Sequence, residues 1–290
     1  MKVMVIGGTG YIGAAVVRRL GAAGHVPVRA VRDPRTAPDG VESRVADLTD
    51  PASLRAAITT DIDAVVHAAT PTGDWDADLE AVTALTGSLA GRALVYLSGV
   101  WVLGSPGHPV DESAPPRPTE LVSARPRLEE HVLETVGVRG VVIRPGIVHG
   151  AGGGIPAMLV DWARHAGTGR YVGDPTVRWP LVHVDDLADL VTLAAELAEP
   201  GTVLHGVAES AVPVSALAAA ADVAAGGTGR SESWPQDEAA ADLGKPFAAA
   251  LALDQEVLAV AARALGWTPS RPDAVTDIAN GSYRLPEHAS

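Results

Sequence analysis

The chain has no cysteine, which excludes disulfides, thiolate nucleophiles and cysteine-ligated metals together. Lysine is nearly missing too: among 22 basic residues only Lys2 and Lys245 are lysine, and the others are arginine. Aromatic residues make up 4% of 290 positions, with one phenylalanine and with tyrosine at Tyr11, Tyr96, Tyr171 and Tyr283 alone. A core must therefore be built from alanine, valine and leucine; at 47% hydrophobic residues and a mean hydropathy of +0.17, they suffice. No apolar run approaches the ~18 residues of a membrane span, and a strand-like run starts at residue 2, so we expect neither membrane partner nor secretory leader. The formal net charge of −13 lacks the basic face that a nucleic acid requires. No histidine–carboxylate spacing suggests a metal. The expectation is a soluble cytoplasmic protein with a small-molecule ligand, monomeric or homodimeric.

What is present is concentrated at the start. Val3 to Ile6 reads as a buried parallel strand, Gly7 to Gly13 as a glycine-rich turn, and Ala14 to Ala23 as a helix. Gly8, Gly10 and Gly13 satisfy G-x-G-x-x-G, and Gly7, Gly10 and Gly13 satisfy G-x-x-G-x-x-G. In such a turn one glycine permits the sharp strand-to-helix bend, one admits a pyrophosphate to the backbone amides, and one lets the helix pack on the strand. The helix N-terminus adds partial positive charge and unpaired N–H groups.

Strand and helix then alternate. Strands are expected at Val26 to Val31, Val41 to Ala46, Asp63 to His67, Ala93 to Ser98 and Val141 to Arg144. Helices are expected at Ala52 to Ile58, capped by Asp50 with Pro51 first, at Leu79 to Leu89, and at Ser123 to Val136 with Pro126 in the first turn. This alternation predicts an α/β fold, a Rossmann-type doubly wound parallel sheet. Residues 1–150 form its nucleotide-binding domain. Residues 151–290 read mainly as a smaller C-terminal substrate-binding lobe, with some segments returning to the sheet. In that part we expect a helix at Ala157 to His165, an extended run from Trp179, and a helix at Leu187 to Leu197 capped by Asp185 or Asp186. The remainder reads as alanine-rich helix.

The second strand ends at Arg32, where an NAD site would carry an acid for the ribose 2′-hydroxyl. Arg32, with Arg35, suits a 2′-phosphate and favours NADP; Asp33 next to it leaves NAD open. Asp47 and Leu48 follow the third strand at its carboxyl end, placed for the adenine. Ala68 and Ala69 follow the fourth and allow backbone to pass close to a cofactor. His67 reads as a near-core histidine.

Gly7 to Gly13, Asp47-Leu48, His67 to Ala69, Ser98 to Gly104, Arg144 to Gly150 and His183 to Ala188 resemble, in order and spacing, the landmarks of the extended or atypical short-chain dehydrogenases/reductases of the epimerase/dehydratase group. Leu265 to Pro269 resembles that group's closing segment. The resemblance implies NAD(P) across the sheet's carboxyl edge, on Gly7, Gly10, Tyr11, Ile12, Gly13, Arg32, Asp47, Leu48, Ala68 and Ala69. It implies substrate between sheet and C-terminal lobe, near Trp101, Pro145, His149 and Trp179. It further implies a serine after the fifth strand and Tyr-x-x-x-Lys on the next helix, for proton transfer and ribose binding. Here that slot reads Ser123-Ala124-Arg125-Pro126-Arg127, with Arg127 in the lysine's place and Gly99 aligned with the serine, one position from Ser98.

The remaining candidates for chemistry are Ser98, Ser123, Arg127, His108 and His149. Arginine can hold a ribose but is no proton donor at neutral pH, whereas histidine titrates near it. Asp111 and Glu112 are candidates for a substrate hydroxyl. Three readings follow: an NADP-dependent reductase or epimerase with a non-standard proton donor, possible in secondary metabolism; a non-redox cyclase or dehydratase on the same scaffold; or a non-catalytic NADP-sensing regulator.

Overall fold

The computed structural model describes residues 1–33, 35 and 40–284. Val3 to Ile6 are apolar at every position because β1 (Lys2–Ile6) is covered on both faces. Val3 and Val5 enter one core, and Met4 and Ile6 the other. The chain continues through α1 (Tyr11–Ala22), β2 (Val26–Val31), β3 (Glu42–Val45), α2 (Pro51–Ala57), β4 (Ala64–His67), α3 (Trp75–Gly87), β5 (Ala93–Leu97), α4 (Arg125–Glu134) and β6 (Arg139–Pro145). There follow β7 (Ile147–His149), α5 (Gly154–Ala166), β8 (Gly169–Val172), β9 (Arg178–His183), α6 (Val184–Leu197), β10 (Thr202–Gly206), β11 (Glu209–Pro213) and α7 (Val214–Ala224). The last elements are β12 (Ser231–Trp234), α8 (Gln236–Leu243), α9 (Lys245–Leu251), α10 (Val260–Ala264) and α11 (Ala274–Asn280).

The main sheet runs β10-β6-β5-β4-β1-β2-β3, and all its pairings are parallel. Strand order reverses between β1 and β4, and a ligand of such a sheet lies outside the carboxyl ends at that point. Side chains of α1 and α6 cover one face, and those of α2, α3 and α4 the other. A separate core of Trp179, Leu159, Leu217, Trp234 and Leu251 sits under the second half of the chain, with two small sheets, β11-β9-β7 and β12-β8.

The Rossmann-type sheet agrees with expectation, but it has a seventh strand. Thr202 to Gly206 lies in the stretch read as helix, yet it pairs with β6 from Thr202–Val141 to Gly206–Pro145. Five residues carry too little periodicity to be told from helix, and the partner strand decides. Cap chemistry was more legible. Asp50 accepts from the N–H groups of Ala52 and Ser53 at 3.0 and 3.3 Å, with Pro51 at the first position. At α6 the expectation fails. The helix starts at Val184, and His183 Nδ1 accepts from the Asp185 N–H at 3.1 Å. Asp186 is buried and instead accepts from the N–H groups of Ser270 and Arg271, at 3.0 and 3.1 Å, joining the C-terminal segment to α6. No helix among the described residues is long and apolar enough to cross a membrane.

Two glycines fix the turn after β1. Gly7 has φ +79°, and a Cβ there would lie 2.7 Å from Ala69 backbone; the ends of β1 and β4 can approach only without it. A Cβ on Gly13 would lie 2.1 Å from the Gly7 carbonyl oxygen. Gly13→Ala is therefore expected to cost about 1–3 kcal/mol through overpacking. Gly21→Ala, on the same helix with nothing within 4 Å of its Cβ, should stabilise by about 0.4–1 kcal/mol. Urea unfolding of the two variants checks the contrast, and equal effects would remove the steric account.

Candidate functional site

A cavity of about 460 Å³ opens where the carboxyl ends of the central strands meet the start of α5. Tyr11 and Ile12 border it from α1, and Thr70, Pro71, Gly73 and Trp75 from the segment after β4. Ser98 to Trp101 line it after β5, Pro145 to Val148 after β6, and Gly154 and Ile155 from α5. Leu121, Val122 and Arg125 close it on the α4 side. The wall is mostly apolar, and Arg125 is its one charged residue among the described residues.

The position of Arg125 follows from α4. Glu129 lies one turn further on the same helix and is buried against Arg144 of β6. Arg144 donates to Glu129 through Nε at 3.1–3.2 Å and through Nη2 at 2.6 Å. This two-pronged pair fixes the rotation of α4 over the sheet. Residues four apart share a helix face, so Arg125 is turned to the end of β5, where its Nη1 donates to the Leu97 carbonyl at 3.2 Å. Arg127, roughly 200° further round, is exposed on the outer face beside Glu130 and Glu134. The expected ribose-side arginine is therefore not in the cavity, and Arg125, unweighed in the sequence, is. Ser123 is exposed just before α4 and is absent from the lining. On the α4 side, Leu121 and Arg125 line the cavity wall four residues apart. The spacing of Arg125 to Glu129, with buried Leu128 and Val132 on the same helix, was the sequence signal for that register.

Ser98 is 8% exposed; its N–H donates to the Ile143 carbonyl at 2.8 Å, and its Oγ is buried with no partner. Trp101 lines the cavity as expected, its indole N–H also buried without an acceptor, and Pro145 lines it as well. Trp179 does not. It is 1% exposed in the second core, and its Nε1 donates to the Leu251 carbonyl at 3.1 Å.

The histidines are placed elsewhere too. His149 is 1% exposed and shares a 2.9 Å hydrogen bond with Asp277 through Nδ1, edge-on to His183 at 5.1 Å. Burial alone would raise the Asp277 carboxyl, but the bonds from His149 and Ser282 hold it below the usual range. Both histidines border a separate cavity of about 180 Å³ with Glu209, Arg263 and Arg271. His149 thus joins β7 to α11 and does not reach the rim of the larger cavity. His108 is exposed and contacts the Pro109 carbonyl. Asp111 accepts from Ser113, and Glu112 from the N–H groups of His205 and Val260; neither lines the cavity.

The glycine turn has the features of an anion cradle. Gly10 caps α1 with no side-chain hydrogen bond, and the first turn carries no acidic residue. The Tyr11 hydroxyl donates to the Gly150 carbonyl at 2.7 Å, and burial raises its pKa far above the usual phenol value; it is held as a brace. Arg32 is exposed at the end of β2 and acts electrostatically on Asp47. Bonds from the Thr49 N–H and hydroxyl, then the charge of Arg32, hold the Asp47 carboxyl below the usual range. Arg35 is paired with Asp33 at 2.7 Å. Leu48 and Ala69 pack against the core beneath.

His67 sits behind the cavity against Tyr96, ring centroids 5.3 Å apart, with Nδ1 unpartnered. Burial, reinforced by the Arg125 charge, lowers its pKa to about 4. A histidine depressed in the folded state contributes stability that is complete above its unfolded value near 6.5 and is lost as pH falls towards 4. The loss expected across that window is roughly 3 kcal/mol. Urea unfolding at pH 4 to 7 should show the slope, and His67→Gln should flatten it; an unchanged slope would locate the proton uptake in another group.

Comparison with known proteins agrees with this geometry. The model of the NAD dependent epimerase/dehydratase family matches residues 3–206. An uncharacterized protein of Schizosaccharomyces pombe, C2A9.02, is 29% identical over 98% of this chain and 100% of its own length. The 2'-dehydrokanamycin reductase of Streptomyces kanamyceticus is 28% identical over 71% of this chain and 61% of its own. The crystal structure of human epimerase family protein SDR39U1 with NADPH superposes with a TM-score of 0.80 at 25% identity, covering 98% of this chain and 100% of that one. With a doubly wound sheet, a glycine cradle at its first turn and a family match over most of its length, the chain belongs to the NAD-dependent epimerase/dehydratase family, within the extended short-chain dehydrogenases/reductases.

Proposed function

We propose that the protein is an NADP-dependent oxidoreductase or epimerase-type enzyme acting on a small carbonyl or hydroxyl substrate. The observation that carries this reading is the continuity of the glycine cradle with the apolar cavity: Tyr11 and Ile12 belong to both. In this reading the N–H groups at the start of α1 hold the pyrophosphate, Ala68 and Ala69 let it pass, and Asp47 and Leu48 border the adenine. Arg32 takes the 2′-phosphate. The nicotinamide, when bound, supplies or accepts a hydride. The chain's own residues orient the substrate, Ser98 from the end of β5 and Arg125 from the start of α4. The relation of the matched reductase and of the NADPH-bound human protein supports this assignment.

The usual proton relay is replaced. At the cavity wall Arg125 takes the place of the family's lysine and Leu121, four residues before it, that of the tyrosine, and neither delivers a proton at neutral pH. With His149, His183 and His108 away from the cavity, the proton comes from water, oriented by Ser98. The apolar Leu121 also favours a second reading, a non-redox cyclase or dehydratase in which the site acts by orientation.

Incubation with NADPH and a panel of ketones and enones, followed by nicotinamide absorbance and product mass, separates these. Cofactor consumption with reduced product is expected. Product without consumption would select the second reading, and cofactor binding with no turnover would select a sensing role. Calorimetric titration of Arg32→Ala should raise the Kd for NADPH about tenfold and leave that for NADH unchanged. An equal effect on both would sink the 2′-phosphate assignment.

A further inference from the structure

Three polar groups of the cavity, Arg125, Ser98 and Trp101, keep donor capacity that no acceptor fills. Arg125 makes one hydrogen bond, to the Leu97 carbonyl, and no ion pair among the described residues. The bond to Leu97 places its guanidinium beside Ser98, the next residue, whose Oγ is buried and unpartnered. Three residues on, Trp101 has an indole N–H in the same state. No aspartate or glutamate lines the cavity, although the chain carries 35 of them. Nearby Glu129 is already committed to Arg144.

A cation in an apolar wall is costly unless it is paired, and buried donors left open cost as well. A neutral ribose or alcohol would satisfy the donors and leave the charge uncompensated. A carboxylate satisfies both, as acceptor and counter-ion, and guanidinium geometry suits it. The remainder of the wall sets the body of the ligand: Trp75 and Trp101 with Val100, Val122, Ile147 and Ile155 favour a flat or compact apolar group.

We propose that the cavity takes an apolar monocarboxylic acid, its carboxylate on Arg125 and Ser98 and its body between Trp75 and Trp101. The inference deepens the enzyme reading and rests on it for the position of the substrate site, but its binding test needs no turnover. The probes are 2-naphthoate and its uncharged isostere 2-naphthamide, titrated calorimetrically into the full chain with and without saturating NADP.

The acid should bind at least about tenfold more tightly than the amide, with affinity falling as salt rises. Arg125→Met should abolish that preference by weakening the acid alone, and Arg125→Lys should restore part of it. A melting curve for each variant checks folding, and the acid–amide comparison on the unaltered chain depends on no variant. Equal binding of acid and amide would overturn the proposal. So would an Arg125→Met variant that keeps the acid preference while losing NADPH, because the arginine would then serve the cofactor. NADPH binding without acid preference leaves the cofactor assignment intact and removes this inference; the converse result removes the assignment and retains the inference.

Discussion

The buried pair of Arg144 and Glu129 is the constraint from which the site's geometry follows. Both side chains are at most 5% exposed, so each charge depends on the other. Such a pair adds little net stability over apolar replacements, but loss of one partner leaves a buried charge. Its consequence here is orientation. It holds α4 to β6, so the residue one helical turn earlier, Arg125, must face the ends of β5 and β6. The arginine in the cavity is thus placed by a contact outside it.

A second group of polar contacts seats the C-terminal half on the sheet. Asp186 holds the backbone at Ser270 and Arg271, and the Trp267 indole donates to the Asp186 carbonyl at 2.8 Å. His149 meets Asp277, and the Tyr283 hydroxyl takes the Gly150 N–H and donates to the Gly153 carbonyl, each at 2.8 Å. Tyr11 closes the ring by bonding to Gly150 from the glycine turn. His149, attractive as a catalyst in the sequence, is thereby held between β7 and α11.

The sequence made the first half of the fold legible because its signals are local. Val3 to Ile6 followed by Gly7 to Gly13, and Asp50 before Pro51, each determine geometry within a few residues. The family resemblance carried the order of the landmarks. Side-chain direction was not local. Arg125 and Arg127 are two positions apart, and only the commitment of Glu129 to Arg144 decides which one faces the cavity. Trp179 and His149 lie outside the cavity for a related reason: large or polar side chains near a cleft are as readily used by the second core and its seams. The strand at Thr202–Gly206 depended on its partner β6 and had no signature of its own.

The charge distribution reconciles an acidic chain with anionic ligands. At physiological salt the Debye length is about 8 Å, so most of the carboxylates behind the net charge of −13 contribute little potential inside the cleft. Local groups decide: the uncapped start of α1, Arg32 at the end of β2, and Arg125 within an apolar wall. These three lie at the carboxyl edge of one parallel sheet, on separate segments. The fold thus sets where positive charge is concentrated, and the apolar lining lowers the dielectric around the innermost of the three. In the proposed reading, selectivity resides in Arg125 and its unsatisfied neighbours, and the net charge of the chain is a poor guide to it.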